Sequence, residues 1–162
     1  PFFIPDFSND IHYETEMVIK IDRLGKNIEE KFAHKYYDEF TLGIDFTARD
    51  LQNKLKEKGL PWELSKGFDR SAVVGTFLSK KGYDLGKLIF TMKKNGTEVQ
   101  SGDTSLMLHS VDKIIAFASR FFTLKIGDLI FTGTPAGVGP VTTGDVLVGI
   151  VGERVLFNVR IK

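Results

Sequence analysis

Residues 12–21 spell HYETEMVIKI, and this stretch decides the fold class of the chain. Apolar residues alternate with polar ones along it, which predicts a β-strand over residues 13–22. The alternation places Glu14 and Glu16 on one face of that strand and a largely apolar set on the other. Two carboxylates at this spacing lie roughly 6–7 Å apart along a strand. They repel each other unless water or a cation lies between them, so the pair indicates a candidate cation site.

The composition narrows the class of protein. The chain has 162 residues, enough for one domain with its own core, and its 22 basic residues nearly balance its 21 acidic ones. We therefore expect no binding to nucleic acid or to an anionic membrane. Cysteine is absent, which excludes disulfides and thiolate metal sites. No apolar run approaches the ~20 residues of a membrane span and no signal peptide is visible, so we expect a cytoplasmic protein. The start at Pro1, without Met, is nevertheless typical of a fragment or a processed product.

The rest of the pattern predicts one β-dominated domain with two or three helices. Apolar spacing predicts a helix over residues 28–40, followed by a short strand that ends in Asp45. The segment TARDLQNKLKEKG predicts a helix with Thr47 as N-cap, Asp50 three residues later and a glycine just past its end. A second well-signalled helix, SVDKIIAFASRFF, starts after a cap at Ser110. Further strands are predicted at 72–78, at 87–94 and in the segments DLIFTG, DVLVGIVG and RVLFNVRI.

Three carboxylates lie on or at the end of predicted apolar strands: Glu14, Glu16 and Asp45. A carboxylate is costly in such a place unless it is paired or bound to a cation. Hard oxygen ligands suit Mg²⁺, Mn²⁺ or Ca²⁺ rather than zinc. The alternative is that the two glutamates lie on the solvent side of a half-exposed strand, and their spacing alone favours that alternative.

Cationic and polar candidates lie near predicted turns and helix ends. Arg49 and Gln52 share one side of the first turn of a predicted helix, where an anion is favoured and an arginine can bind a carboxylate. A surface arginine paired with a nearby acid explains the same pattern. Lys66, in the loop ELSKGF, is by itself typical of a solvated charge. The segment FTGTPAGVGP, residues 131–140, matches no phosphate-binding motif and indicates either a tight turn or close approach to a ligand.

Five segments together resemble a known family when they are taken in order. They are HYETEMVI, GIDFTARDLQ, GLPWELSKGFD, NGTEVQSGDTSLM and GDLIFTGTPAGVGPV. This order resembles the fumarylacetoacetate hydrolase family, and within it the acylpyruvase and oxaloacetate-decarboxylase-like members. The resemblance runs from about residue 5 to the end of the chain. It implies one catalytic domain over residues 1–162, a mainly β fold with a few helices (α+β) built as a mixed β-roll of several small sheets, and a homodimer.

The same resemblance implies a site and a chemistry. It implies Mg²⁺ or Mn²⁺ bound by Glu14, Glu16 and Asp45. It implies a catalytic lysine at Lys66 and substrate contacts from Arg49, Gln52, Lys66 and Thr134. The activity it implies is hydrolysis or decarboxylation of a C–C bond in a small 2-oxo acid, such as an acylpyruvate or oxaloacetate, through a metal-stabilised enolate. Isomerisation of a hydroxy-diene-dioate, or a non-catalytic metal-stabilised binding module, are the alternatives.

Members of this type also carry a preceding segment with a G-R-N-Y-like stretch and a His/Glu pair on a short lid helix. That pair is thought to activate the attacking water in the hydrolases. The 162 residues begin after the corresponding position. We therefore expect hydrolysis to depend on that segment more strongly than decarboxylation does, because decarboxylation needs no attacking water.

Overall fold

The computed structural model of the protein describes residues 1–162, which form three small antiparallel sheets and four short helices. The helices are α1 (Glu30–Ala33), α2 (Arg49–Glu57), α3 (Glu63–Lys66) and α4 (Val111–Phe121). The strands are β1 (Ile11–Tyr13), β2 (Thr15–Ile21), β3 (Tyr37–Asp45), β4 (Thr47–Ala48), β5 (Ala72–Val74), β6 (Leu78–Ser79), β7 (Ile89–Lys94), β8 (Thr97–Asp103), β9 (Leu129–Phe131), β10 (Gly139–Pro140), β11 (Val146–Val151) and β12 (Arg154–Arg160). The predicted mainly β class with a few helices is confirmed. None of the helices has the length and apolar character that crossing a membrane requires.

The three sheets share one hydrophobic core. The largest has the strand order β5-β3-β2-β9, with β6 added to the side of β3. The second has the order β12-β11-β7-β8 and the third the order β10-β1-β4. All ladders are antiparallel, and the one parallel contact is an isolated bridge between Phe2 and Ile161 near the two ends of the chain. The sheets therefore curl around a common interior, and their junctions are where functional side chains can meet.

Strand β2 lies inside the largest sheet and is covered on both faces. The predicted inward face, with Met17 and Ile19, is buried, but Val18 on the opposite face is buried as well. Near-continuous burial is expected for a strand that has neighbours on both edges and packing on both sides. The face that carries the glutamates is therefore not a solvent face.

The predicted strand over 13–22 is interrupted at Glu14, which lies in neither β1 nor β2. On one side of it, β1 pairs with β4 and β10, and on the other side β2 pairs with β3 and β9. The Glu14 carbonyl still accepts a hydrogen bond from the Asp45 N–H at 2.9 Å. Glu14 thus marks the junction where the chain passes from one sheet into another.

The predicted helix over 28–40 is wrong for most of its length. Only one helical turn, α1, forms, and residues from Tyr37 onward belong to β3. The apolar spacing in this stretch fits a helix, but Tyr37, Phe40, Leu42 and Ile44 are also good strand residues and all are buried. Pairing along the whole of β2 decides the outcome, since local propensity is a weak preference that long-range contacts override.

The predicted N-cap of α2 is also wrong, and Asp50 closes no capping box, because it accepts hydrogen bonds from Ser8, from the Asn9 N–H and from the Leu51 N–H. The glycine past the end of α2 and the cap of α4 are confirmed. Ala48 occupies the N-cap position without a side-chain cap, and Thr47 lies in β4 with its hydroxyl turned toward other polar groups. Gly59 follows the helix with a φ of +63°, a left-handed conformation that glycine adopts without steric cost. Ser110 caps α4 as predicted. Thr47, the failed N-cap, contacts Lys66 in the candidate site.

Candidate metal and substrate site

The oxygen atoms of Glu14, Glu16 and Asp45 approach one another closely: one carboxylate oxygen from each lies within 4.8 Å of the others. The register of β2 and β3 causes this, because Thr15 pairs with Ile44 and so places Glu14 beside Asp45. Glu14 is 9% exposed and Glu16 is 5% exposed. The alternative that the glutamates decorate a solvent face is therefore wrong.

Opposite Glu16, strand β3 carries a glycine where no side chain fits. A Cβ atom on Gly43 would lie 2.6 Å from the Val73 carbonyl oxygen and 2.8 Å from a methyl group of Val18. The glycine allows β5 and the side chains of β2 to close over β3 at the level of the glutamate.

Lys66, the last residue of α3, reaches into this acidic cluster. Its Nζ donates hydrogen bonds to Glu14 Oε2 at 2.7 Å, to Asp45 Oδ2 at 2.6 Å and to Thr47 Oγ1 at 2.7 Å. Burial lowers the pKa of Lys66, but the hydrogen bonds and charges of Asp45 and Glu14 outweigh burial and hold its pKa above the ordinary value. Lys66 is therefore a protonated cation within the site and not a solvated loop charge.

Arg49 and Gln52 lie beside the cluster, on the first turn of α2. Arg49 Nη2 donates to Glu14 Oε1 at 2.5 Å, and Arg49 Nη1 donates to Gln52 Oε1 at 2.6 Å. Gln52 is 3% exposed. Because Arg49 occupies the carbonyl oxygen of Gln52, the amide nitrogen of Gln52 is left as a donor. The predicted proximity of these two side chains is confirmed; Arg49 contacts Glu14 directly, and Gln52 is joined to the cluster through Arg49.

The three carboxyl groups differ in pKa because their partners differ. Burial raises the pKa of Glu14, but hydrogen bonds from Lys66 and Arg49 outweigh burial and hold it below the ordinary value. Burial also raises the pKa of Asp45, which shares Lys66 but makes no hydrogen bond with Arg49, and its pKa stays above the ordinary value. Burial raises the pKa of Glu16 most, to about 7, with added repulsion from Asp45 and Glu14.

Glu16 is the carboxylate that the protein leaves without a cation. Its Oε2 accepts a hydrogen bond from the Gly133 N–H at 2.6 Å, and no lysine or arginine forms an ion pair with it. A buried, unpaired carboxylate is expensive in a protein interior. Together with Glu14 and Asp45 it forms a hard-oxygen donor set, which fits a divalent cation such as Mg²⁺ or Mn²⁺.

Thr134 contacts Thr15, the residue between the two glutamates. Its Oγ1 donates a hydrogen bond to the Thr15 carbonyl at 2.9 Å and accepts one from Gln100 Nε2 at 2.9 Å. Two functional neighbours were missed by the sequence argument. Thr47 was assigned to a helix cap, and Gln100 lies in a strand whose pattern gives no sign of a polar interior residue.

Comparison with known proteins identifies relatives over most of the chain. The family model described as "Fumarylacetoacetate (FAA) hydrolase C-terminal" matches residues 1–156. Oxaloacetate decarboxylase of Dictyostelium discoideum is 42% identical over 148 residues, covering 91% of this chain and 68% of the relative. Human oxaloacetate tautomerase FAHD1 is 40% identical over 146 residues, covering 90% of this chain and 66% of the relative. The chain therefore spans about two thirds of the length of these relatives.

The fold comparison agrees with the sequence comparison. The crystal structure of fumarylpyruvate hydrolase from Pseudomonas aeruginosa, in complex with Mn²⁺ and pyruvate, matches with a TM-score of 0.92 and 35% identity. The match covers 99% of this chain and 69% of that one. The family match, the two relatives and the shared fold confirm the resemblance seen in the ordered motifs: the chain belongs to the fumarylacetoacetate hydrolase family.

Proposed function

We propose that this protein is a Mg²⁺- or Mn²⁺-dependent enzyme that hydrolyses or decarboxylates a C–C bond in a small 2-oxo acid, such as an acylpyruvate or oxaloacetate, through an enolate. The observation that carries the proposal is the close approach of three carboxylate oxygens, within 4.8 Å of one another, next to a lysine and an arginine. The relatives support it, since their names describe a decarboxylase and a tautomerase of oxaloacetate and a hydrolase bound to Mn²⁺ and pyruvate.

Glu14, Glu16 and Asp45 would hold the metal ion. When bound, the ion would supply Lewis-acid stabilisation of negative charge on the oxygen atoms of the 2-oxo acid. The protein's contribution to that binding is a set of three preformed oxygen ligands. The Gly133 N–H keeps Glu16 oriented toward the other two carboxylates while leaving it without a competing cation.

Arg49 and Gln52 would bind a carboxylate of the substrate. Arg49 uses two of its nitrogen atoms on Glu14 and Gln52 and keeps further N–H donors for an anion. The amide nitrogen of Gln52 makes no hydrogen bond within the protein, and its oxygen is fixed by Arg49. Both donors lie on the first turn of α2, so a carboxylate bound by them would be held in a fixed orientation relative to the acidic cluster.

Lys66 and Thr134 would act closest to the reacting atoms. Lys66 is a protonated donor that lies between two of the proposed metal ligands, so it can stabilise developing negative charge or deliver a proton to the enolate. The hydroxyl proton of Thr134 is directed at the Thr15 carbonyl. Its backbone N–H, which makes no hydrogen bond within the protein, is therefore the donor that Thr134 offers to a substrate.

An isomerase or tautomerase is the second candidate. Keto–enol interconversion, or the shift of a double bond in a hydroxy-diene-dioate, uses the same enolate and a proton donor but breaks no C–C bond. The protonated Lys66 supports this candidate, because once a base has taken a proton from a substrate carbon, Lys66 can return a proton to the enolate at another atom. A non-catalytic, metal-stabilised binding module is the third alternative.

Oxalate is expected to inhibit the enzyme competitively, because it mimics the enolate of pyruvate and offers two carboxylates to the metal and to Arg49. We expect oxalate to raise the apparent KM for oxaloacetate without changing kcat, measured by coupled pyruvate detection with Mn²⁺ saturating. Malonate, which is one carbon longer, is the matched control and should inhibit more weakly. A Mn²⁺-loaded protein that is indifferent to millimolar oxalate would contradict the proposed substrate class.

A panel of small 2-oxo acids separates the candidate reactions. Oxaloacetate, an acylpyruvate and a hydroxy-diene-dioate are incubated with the Mn²⁺-loaded protein, and products are followed by NMR with the background from the metal alone subtracted. Pyruvate from either of the first two supports the hydrolase or decarboxylase. A faster approach to keto–enol equilibrium, or a shifted double bond without cleavage, supports the isomerase. No turnover of any compound, with metal bound, supports the binding module.

Metal binding is expected to weaken as the pH falls below 7. The pKa of Glu16 is raised to about 7, so below that value the carboxyl must release a proton before it can bind a metal ion. Each unit of pH below 7 should therefore reduce the apparent Mn²⁺ affinity about tenfold, and affinity should level off above pH 8. Isothermal titration at pH 5.5, 6.5, 7.5 and 8.5 measures this. An affinity independent of pH over that range would show that Glu16 does not bind the metal.

We also propose that the protein is a homodimer. Phe117 and Phe121 lie on α4 with their ring centroids 5.3 Å apart, and both are 60% exposed, as expected for an apolar face that a partner covers. Sedimentation velocity would test the proposal. The cytoplasmic location stays a prediction, since the Dictyostelium discoideum decarboxylase and the human tautomerase are both named as mitochondrial.

A further inference from the structure

Gln100 is a buried amide that joins two separate parts of the candidate site. It lies on β8, in the four-stranded sheet, and is 1% exposed. Its Oε1 accepts a hydrogen bond from the Thr15 N–H at 3.0 Å. Its Nε2 donates to Thr134 Oγ1 at 2.9 Å and to the Pro135 carbonyl at 3.1 Å. One carboxamide therefore binds the residue between the two glutamates and the turn that carries Gly133.

The surrounding packing leaves this amide little freedom to move. Met92 pairs with Gln100 across the β7–β8 ladder, and its sulfur accepts a hydrogen bond from Thr15 Oγ1 at 2.7 Å. The chain beyond the turn also runs against β8: a Cβ atom on Gly137 would lie 2.3 Å from the Val99 carbonyl oxygen. The four-stranded sheet thus contacts Thr15 through Met92 and Gln100, and of these two Gln100 also reaches the turn of residues 133–135.

The amide determines where the hydrogen atoms of the neighbouring groups lie. Because Gln100 Nε2 can only donate, Thr134 Oγ1 must accept from it and must point its own proton at the Thr15 carbonyl. This arrangement closes a ring of hydrogen bonds between Gln100, Thr15 and Thr134. Gly133, the residue before Thr134, is held by the same ring, and its N–H contacts Glu16.

We propose that Gln100 is a positioning residue of the site, which fixes the turn of residues 133–135 against β2 and thereby holds the Gly133 N–H on Glu16. Its importance for ligand binding rests on the proposed function, but its effect on the turn does not. Removal of a group that contacts a metal ligand directly typically changes metal affinity by about 10–100-fold. Gln100 acts one contact further away, through the Gly133 N–H, so we expect an effect at the lower end of that range.

Two substitutions separate the two ends of the amide. Gln100→Met has a similar volume and removes both the acceptor and the donor. Gln100→Glu keeps an acceptor for the Thr15 N–H but replaces the donor nitrogen by a carboxylate oxygen. That oxygen cannot donate to the Pro135 carbonyl. It also turns the Thr134 hydroxyl proton toward itself and away from the Thr15 carbonyl. We expect the Thr15 N–H to exchange with solvent faster only in Gln100→Met, and the Gly133 N–H to exchange at least about tenfold faster in both variants.

The exchange measurement uses the EDTA-treated protein and two-dimensional NMR, so it does not depend on activity. Isothermal titration with Mn²⁺ then measures affinity, for which we expect a loss of about tenfold in each variant. Thr104→Val is the matched control: Thr104 follows the last residue of β8, and its Oγ1 accepts a hydrogen bond from the Leu88 N–H, just before β7, at 2.7 Å. The Thr104→Val variant should change neither the hydrogen-exchange rate of the Gly133 N–H nor the affinity for Mn²⁺.

The outcomes distinguish the inference from the proposed function. Unchanged exchange at Gly133 in both Gln100 variants would overturn the inference, whatever the metal titration gives. Faster exchange with unchanged Mn²⁺ affinity would also overturn it, since the turn would then move without affecting the site. A wild-type protein that binds no Mn²⁺ would contradict the proposed function, while the exchange at Gly133 would still decide whether Gln100 holds the turn.

Discussion

Glu16→Gln is expected to weaken Mn²⁺ binding by more than about 100-fold and, at the same time, to stabilise the metal-free protein. The loss of affinity follows from the removal of a ligand, since loss of an indirect partner alone costs about 10–100-fold. The gain in stability follows from burial: Glu16 is 5% exposed and forms no ion pair, whereas glutamine keeps the acceptor for the Gly133 N–H without a charge. Isothermal titration and urea unfolding measure the two effects.

The stabilisation should depend on pH in one direction. The pKa of Glu16 rises from 4.5 to about 7 on folding, so the folded protein holds a proton that the unfolded chain releases. The favourable contribution of the protonated Glu16 to the free energy of unfolding is fully present below pH 4.5 and is lost as the pH rises through 7. The free energy of unfolding of Glu16→Gln should therefore exceed that of the wild type more at pH 8 than at pH 5. Glu153→Gln, at an exposed turn, is the control and should show no such difference. Unchanged Mn²⁺ affinity in Glu16→Gln would reject the metal site.

Lys66→Met is expected to have the opposite pair of effects: a less stable metal-free protein that binds Mn²⁺ at least as tightly as the wild type. Lys66 neutralises Glu14 and Asp45, and removing it leaves two carboxylates without that partner. Breaking a buried ion pair costs about 3–5 kcal/mol, and we expect about 2–3 kcal/mol here because the Lys66 side chain is 29% exposed. The same change raises the negative charge around a cation and frees oxygen atoms that Lys66 occupies, so affinity for the metal should not fall.

Turnover by Lys66→Met should nevertheless fall by about 10²–10⁴-fold, the usual effect of a positioned proton donor. The measurement is kcat for oxaloacetate with Mn²⁺ saturating and the metal-only background subtracted. Lys20→Met is the matched control, since the Lys20–Glu39 pair is 37% and 44% exposed and should contribute less than about 1 kcal/mol. A Lys66→Met protein that keeps wild-type kcat would show that this lysine balances charge but takes no part in the reaction.

The acidic cluster shows how far the sequence can lead. Alternation along one predicted strand places Glu14 and Glu16 on the same side, and the next strand ends in Asp45, the third carboxylate of the cluster, although the structure interrupts the first strand at Glu14. The same pattern could not decide between a solvent face and an interior. That depends on β2 having a neighbour on each edge, and β9, one of those neighbours, comes from residues 129–131. The ordered motifs that resemble the family supplied what the local pattern lacked.

The wrong predictions have a related cause, which is contact between residues that are distant in the sequence. Thr47 has the right type and position for a helix cap, but its hydroxyl accepts a hydrogen bond from Lys66, which no local signal indicates. Gln100 contacts Thr15 across 85 positions of sequence. In the stretch predicted as a helix over 28–40, the residues from Tyr37 onward pair with β2, and Tyr37 and Phe40 are buried in that pairing. Local rules describe element preferences, and sites are assembled by contacts between distant elements.

The place of β2 between β3 and β9 has a consequence for how the protein is made. While the ribosome synthesises the chain, β2 and β3 can pair early, but the other edge of β2 remains open until residues 129–131 have emerged. Open strand edges are where nascent chains associate wrongly, so this interval is when the protein most needs protection by chaperones. Gly133, which contacts Glu16, emerges directly after that strand. The carboxylates of the candidate cation site are synthesised early, but the hydrogen bond that holds Glu16 is among the last contacts of that site to form.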